Sequence, residues 1–320
     1  MATEPAASAA DAQRELLRRQ FRTRALRMRP LYLLLLVSFA FLFVFKYVPI
    51  YGMAIAFTDF NVRDGLLGSD WNNFAYFKRM ARDPFFSRVL FNTAYLSFLR
   101  LVFQFPTPIV FALLLNEIRF TPFKRAVQSV SYFPHFISWV LLGGIVSQIL
   151  NTYGPVYWFF GVIGAEPVHL LTYAPTFRGL LVLTGIWQSV GWGSIIYLAA
   201  LSGIDPQLYE SAQLDGAGRL RQALSISLPS LVPMIFILFL LQVSSLMQES
   251  WEQIFNLYNP NVFAVADVFE TLIYRAGIQD ARFGYTTAIG MFQNVAGLII
   301  LLIVNAIIRR SADYGDYALW

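Results

Sequence analysis

The stretch YESAQLDGAGRLRQALSISLP, Tyr209–Pro229, is a polar loop between two apolar runs, and its residue order decides the architecture. Just upstream, Asp205-Pro206 opens a helix, with proline in the first turn and a carboxylate near the positive end of the helix dipole. Residues Pro206 to Ala212, which include Glu210, continue that helix. The DGAG at 215–218 (Asp215 to Gly218) supplies a turn, because glycine accepts left-handed backbone angles without steric cost. Arg219 to Leu228, including Ile226, restarts a helix that Pro229 is expected to end. Small side chains at Ala212, Gly216 and Ala217 permit close approach of a partner surface. An amphipathic helix pair lying at a membrane interface is the plainer reading of the same residues.

On both sides of this loop the chain reads as membrane. Of its 320 residues 57% are hydrophobic and only 13% charged, with a mean hydropathy of +0.54; a soluble domain carries about 25% charged residues. A span needs roughly 20 apolar residues, and six stretches qualify: Leu31–Ile50, Val89–Leu115, Val127–Leu150, Phe177–Leu201, Leu231–Gln248 and Thr286–Ile308. Pro106 and Pro108 interrupt the second. The expected fold is an all-α polytopic bundle of six transmembrane helices. Its regions are a tail and basic helix over 1–30, a first helix and outer loop over 31–88, a five-helix core over 89–309 holding the 205–229 loop, and a tail over 310–320. The aromatic TYGPVYWFFGVIG at 152–164 is short for a span and suits a re-entrant or interfacial segment.

Loop charges choose the orientation. Arg14, Arg18, Arg19, Arg22, Arg24, Arg27 and Arg29 precede the first span, and no small-residue cleavage site follows it closely, so an uncleaved cytoplasmic N-terminus is expected over a signal peptide. Arg119, Lys124, Arg125, Arg219, Arg221, Arg309 and Arg310 fall on the same side, whereas 249–285 on the other is acidic. The positive-inside rule then places both termini and the 203–230 loop in the cytoplasm of a bacterial cell. The basic residues are scattered among apolar spans, which favours membrane topology over nucleic-acid binding.

The ordered set Glu210, Ala212, Gly216, Ile226, Leu228 and Pro229 resembles the "EAA" loop of permease subunits in binding-protein-dependent ABC importers. WQSVGWGSIIYLAALSGIDPQLYESAQLDGA from Trp187 to Ala217, QIFNLYNP at 253–260 and DVFETLIYRAGI at 267–278 are similar to the carbohydrate-uptake branch that handles complex oligosaccharides. Ser211 departs from the alanine common in the family. The resemblance implies a type I importer fold whose helix–turn–helix loop docks on a cytoplasmic ATPase. It also implies a homologous second permease subunit, two ATPase subunits using ATP and Mg, and an extracytoplasmic solute-binding protein. Similarity to permeases for pectin- or alginate-type fragments tilts the expected cargo toward uronate-containing chains. A permease for an amino acid or glycerol phosphate, or a membrane enzyme, is the alternative.

Catalytic and metal constellations find little support. Cysteine is absent, His135 and His169 are the two histidines, and neither HExxH nor GxxxxGK[ST] occurs. The chain is therefore expected to bind no metal or cofactor itself. A solute path is suggested by polar stripes at helical spacing: Arg100 and Gln104 in span two, Gln188 and Trp192 beside Trp187 in span four, and Gln242, Ser245, Glu249 and Glu252 with Trp251 at span five. Asn294 joins them from span six. Amides, hydroxyls and indoles on apolar walls suit sugars, whose hydroxyls need hydrogen bonds and whose CH faces stack on aromatics. The same groups also suit polar contacts between packed helices, interfacial tryptophan anchors, and an Arg100 strut to Glu249 or Glu252.

Overall fold

A computed structural model describes residues 28–61, 63–164, 166, 168–248 and 250–310. The basic stretch Arg14–Arg27, Glu249 and the 311–320 tail lie outside the described residues. The chain divides into two compact units at Trp71 and Asn72.

The first unit holds α1, Leu31–Phe57. It is α-helical to Leu42, passes through a π-turn at Phe43–Tyr47, and ends in a 3-10 stretch at Val48–Phe57. Its Leu, Val and Phe side chains are exposed from Leu31 to Val48, a surface suited to a hydrocarbon solvent. The chain then returns on itself: Asp59 N–H donates to the Asp70 carbonyl at 2.8 Å, and the Phe57 and Trp71 rings stack 5.6 Å apart.

The second unit contains α2 (Pro84–Glu117), α3 (Thr121–Phe136), α4 (Trp139–Ile149), α5 (Ala174–Ser202), α6 (Pro206–Leu214), α7 (Arg219–Ser244), α8 (Trp251–Leu257) and α9 (Phe283–Arg310). Asp83 caps α2 by accepting from Phe85 N–H at 2.9 Å, with Pro84 in the first turn. Pro106 does not break α2. A π-turn at Arg100–Gln104 ends two residues before it. The same device recurs in α7, where the π-turn Ala223–Ser227 precedes Pro229, and in α1, where Phe43–Tyr47 precedes Pro49. A proline ring crowds the carbonyl four residues back and offers no N–H; a turn closed by i→i−5 bonds holds one extra residue and relieves that crowding. Pro229 therefore does not end its helix, contrary to the sequence expectation. The helix runs on into the span.

The third expected span is also not straight. α3 and α4 meet at 108°, because Pro134 sits in a 3-10 turn at Phe133–Phe136 and Ile137 and Ser138 are extended. Packing within this unit follows membrane rules, in which small residues let backbones approach. A Cβ at Gly191 of α5 would overlap the Ser131 carbonyl of α3 and come within 2.9 Å of the Tyr132 ring. A Cβ at Gly143 of α4 would meet Asn256 of α8 at 2.9 Å. Ile109, Ala112, Tyr197, Leu201 and Leu231 join α2, α5 and α7 in one buried cluster. Leu96, Trp139, Leu142, Phe177, Leu181, Ile254 and Leu257 join α2, α4, α5 and α8 in another.

Candidate functional site

The π-turn midway along α2 puts Arg100 and Gln104 on the wall of a cavity of about 580 Å³ bounded by α2, α5, α7 and the segment after α7. Trp192, Gln242 and Ser245 complete the set of predicted residues that line it. Arg100 is the one charged side chain among the described lining residues. Its Nη2 donates to Gln253 Oε1 at 2.8 Å. Gln104 Nε2 donates to Ser189 Oγ at 3.1 Å, while its Oε1 is buried without a hydrogen-bond partner. Room for that amide comes from Gly185, where a Cβ would stand 2.9 Å from Oε1. The Trp192 indole is clamped from behind by His135, stacked at 4.7 Å and 4°, and edge-on by Phe136 at 5.4 Å. One cation, several amides and hydroxyls, and one fixed aromatic plate can bind a polyhydroxylated, anionic solute.

Other predicted residues are elsewhere. Trp187 is exposed and Gln188 half-buried, and neither lines the cavity. Asn294 touches its wall indirectly, accepting from Gln248 Nε2 at 3.3 Å. Trp251 and Glu252 do not continue the stripe of Gln242 and Ser245, because α7 stops at Ser244 and they belong to the separate helix α8. There Trp251 packs on Phe255 and Tyr274 at 4.8 and 5.3 Å. The sequence reading missed Ser189, Tyr197, Gln248 and Ser250. Ser189, Trp192, Gly193 and Ile196 share the i, i+3, i+4, i+7 face of α5, which was the signal available for Ser189. Gln248 and Ser250 lie past the helix, where periodicity carries no information.

Beyond the cavity, the stretch after α8 is held by a buried ion pair. Asp267, fully buried, accepts from both Arg275 Nη atoms at 3.2 and 2.7 Å and from Thr271 Oγ1 at 2.7 Å. Burial works against the Arg275 charge, but the hydrogen bond and charge of Asp267 outweigh it, so that pKa is raised. Burial also raises the Tyr258 phenol, with neighbouring Arg275 partly opposing it. Asn92 of α2 donates to the Ala264 and Asp267 carbonyls, both at 3.1 Å, and accepts from Arg178 Nη2 of α5 at 2.7 Å. The pairing with Arg275 neutralises one carboxylate of the 249–285 stretch, Asp267, within the stretch itself.

At the other end of α5 the Tyr209–Pro229 loop has a defined shape. Asp205 Oδ1 accepts from Gln207 N–H at 2.9 Å and starts α6. Gly216, at φ +78°, ends it in a Schellman turn: Ala217 N–H donates to the Ala212 carbonyl at 2.8 Å, and Gly216 N–H to Gln213 at 3.0 Å. Tyr209 and Ser227 hydroxyls meet at 2.8 Å, tying α6 to α7. Glu210, Asp215 and Pro229 are exposed, with Ala212, Ile226 and Leu228 half-buried. Leu214 and Leu220 are 90% and 75% exposed at the tip, an apolar pair with no partner within this loop's own fold to cover it.

A polytopic helical unit with a cavity of mixed polar and apolar lining and an exposed helix–turn–helix defines a class that the relatives of the chain make specific. Residues 90–316 match the family described as the binding-protein-dependent transport system inner membrane component. The chain belongs to that family, and is thus a non-catalytic permease subunit of an ABC importer. It is 38% identical over 301 residues, 94% of each chain, to the polygalacturonan/rhamnogalacturonan transport system permease protein YteP of Bacillus subtilis (strain 168). Protein LplB of the same organism is 38% identical over 286 residues, 89% of this chain and 90% of LplB. A chain in the crystal structure of a bacterial ABC transporter for the acidic polysaccharide alginate superposes with a TM-score of 0.84 at 37% identity, covering 92% of this chain and 99% of that one. A second alginate transporter structure, in complex with an alginate pentasaccharide-bound periplasmic protein, gives 0.82 at 38% identity, over 89% and 95%.

Proposed function

We propose that this permease imports a uronate-containing oligosaccharide through the cavity between α2, α5 and α7. The observation that carries the reading is Arg100, a cation midway along an apolar span, on a wall whose other described lining residues are amides, hydroxyls and apolar groups. An ionisable group at that depth marks a solute path by default, and a planar guanidinium grips a carboxylate by two parallel hydrogen bonds. Galacturonan and alginate, named for the relatives, are both chains of uronic acids. Trp192 supplies the surface on which a sugar ring stacks.

Transport runs by alternating access. Two partner ATPase subunits hydrolyse ATP with Mg, and dock on the cytoplasmic loop 205–229 through Glu210, Ala212, Asp215, Gly216 and the exposed Leu214 and Leu220. A homologous second permease completes the pathway, and a solute-binding protein delivers the sugar from outside. Both termini lie in the cytoplasm, and this chain binds no cofactor.

The test is Arg100→Gln in a reconstituted importer, supplied with a uronic tetrasaccharide and its carboxyl-reduced neutral counterpart. Loss of a charge-assisted pair predicts about a tenfold or greater fall in the preference for the uronic sugar. An unchanged preference would remove the cavity from the account of substrate charge.

A further inference from the structure

The backbone at Trp192 is wedged between two helices. A Cβ at Gly191 would overlap the Ser131 carbonyl of α3, and a Cβ at Gly193 would stand 3.0 Å from Pro108 of α2. Glycine at both positions lets α5 approach both neighbours, with Trp192 between them. The approach brings the indole onto the 3-10 turn Phe133–Phe136, at the bend between α3 and α4. There the His135 imidazole lies parallel to the indole at 4.7 Å and 4°, and Phe136 meets it at 5.4 Å and 84°. Rings on opposite faces of the indole would be separated by roughly the sum of those two distances. His135 and Phe136 are only 5.8 Å apart, so neither covers the face turned away from His135. Trp192 lines the cavity, and neither clamping ring is among its described lining residues. A change at His135 therefore reaches a solute in the cavity through Trp192.

The imidazole acts through its flat face. Its Nδ1 is buried without a hydrogen-bond partner, so no polar contact at that atom is lost if a phenyl ring takes its place. A ring stacked in parallel behind an indole removes rotamer freedom that the side chain would otherwise lose when a sugar orders it. A plate held still before the solute arrives therefore binds more tightly than one that must be fixed by it. The contact is also blind to charge. A uronic residue and its carboxyl-reduced counterpart differ only at the substituent on the rim of the ring, and offer the same CH face to an aromatic.

We infer that His135 is a positioning residue that holds the Trp192 indole as a fixed stacking face for a sugar ring, and so strengthens binding of uronic and neutral sugars alike. This rests on the reading of Trp192 given above and is independent of Arg100. The same residue ties the plate to the bend between α3 and α4, where Pro134 sits in the 3-10 turn.

The experiment uses the assembled complex of both permeases and the ATPases, purified without the binding protein so that its own affinity for sugar does not mask the cavity. Binding of the uronic tetrasaccharide and its carboxyl-reduced counterpart is measured by calorimetry for wild type, His135→Ala, His135→Phe, Phe136→Leu and Trp192→Ala. Transport is followed in the complete importer. His135→Ala is expected to weaken binding of both sugars about two- to tenfold and to leave the ratio between them unchanged. His135→Phe should bind as wild type does, because it keeps the flat face. Phe136→Leu should act in the same direction as His135→Ala by less, and it serves if His135→Ala fails to assemble. His135→Ala should also shift the tryptophan emission, and should leave it unshifted in a Trp192→Phe background. Transport lost with binding unchanged would make His135 merely structural and overturn the inference. So would an equal loss of binding in the Ala and Phe variants. Binding weakened by Trp192→Ala but kept in His135→Ala and Phe136→Leu would overturn the inference alone. Binding kept in Trp192→Ala would overturn it together with the reading on which it rests.

Discussion

Replacing Gly216 with valine tests whether the turn of the Tyr209–Pro229 loop transmits motion. Gly216 sits at φ +78°, and no atom lies within 4 Å of where its Cβ would be. The penalty is therefore one of backbone conformation and not of collision. An L-residue in the left-handed region costs about 1–2 kcal/mol, with β-branched residues at the upper end and asparagine well tolerated. Escape to a right-handed angle would break the bonds from Ala217 N–H to the Ala212 carbonyl and from Gly216 N–H to Gln213. Each is worth about 0.5–1.5 kcal/mol, so escape is no cheaper than strain. The turn either stays strained or opens, and each time it opens α6 loses its fixed register against α7. A cost of 1–2 kcal/mol changes the population of the intact turn by about 5- to 30-fold. The assay is sugar transported per ATP hydrolysed by the reconstituted importer. Asparagine at 216 should be near wild type, alanine intermediate, and valine lowest by about that factor. The spans should remain assembled in all three, because the site touches none of them. Wild-type coupling in Gly216→Val would refute the reasoning.

Two further outcomes follow from packing. Gly191→Val places side-chain atoms onto the Ser131 carbonyl and the Tyr132 ring, so overpacking by about 1–3 kcal/mol should lower the thermal unfolding temperature in detergent. The same shift should disturb the His135–Trp192 stack and quench or shift tryptophan fluorescence. Arg275→Met leaves the fully buried Asp267 without its cation, a loss of about 3–5 kcal/mol by analogy with broken buried pairs; the double variant with Asp267→Asn should recover part of the unfolding temperature.

What the sequence disclosed and what it withheld divide along physical lines. The helix–turn–helix after Asp205 was legible because its cap, its proline and its left-handed glycine are local signals, and Arg100, Gln104, Gln242 and Ser245 were legible because helical periodicity holds across them. Prolines misled. Pro229 reads as a stop and Pro106 as a break, yet a π-turn upstream absorbs each, and π-turns leave no mark in residue spacing. Pro134 was passed over inside the expected span Val127–Leu150, and there the chain bends by 108° between α3 and α4. The helical stripe was extrapolated beyond the end of α7 at Ser244, and Trp251 and Glu252 fall on the separate helix α8. Gln253 was quoted within a motif and given no role, because an amide gains its meaning only from Leu181, Thr184 and Arg100, 72, 69 and 153 residues away.

The central claim is that a uronic oligosaccharide is the cargo of this importer. It is tested most directly by ATPase stimulation of the wild-type complex, with its binding protein, across matched uronic and neutral oligosaccharides. Stimulation by the uronic chains and not by their neutral counterparts is predicted. Stimulation by neutral chains alone would contradict the claim, and would return Arg100 to the role of a strut between α2 and α8.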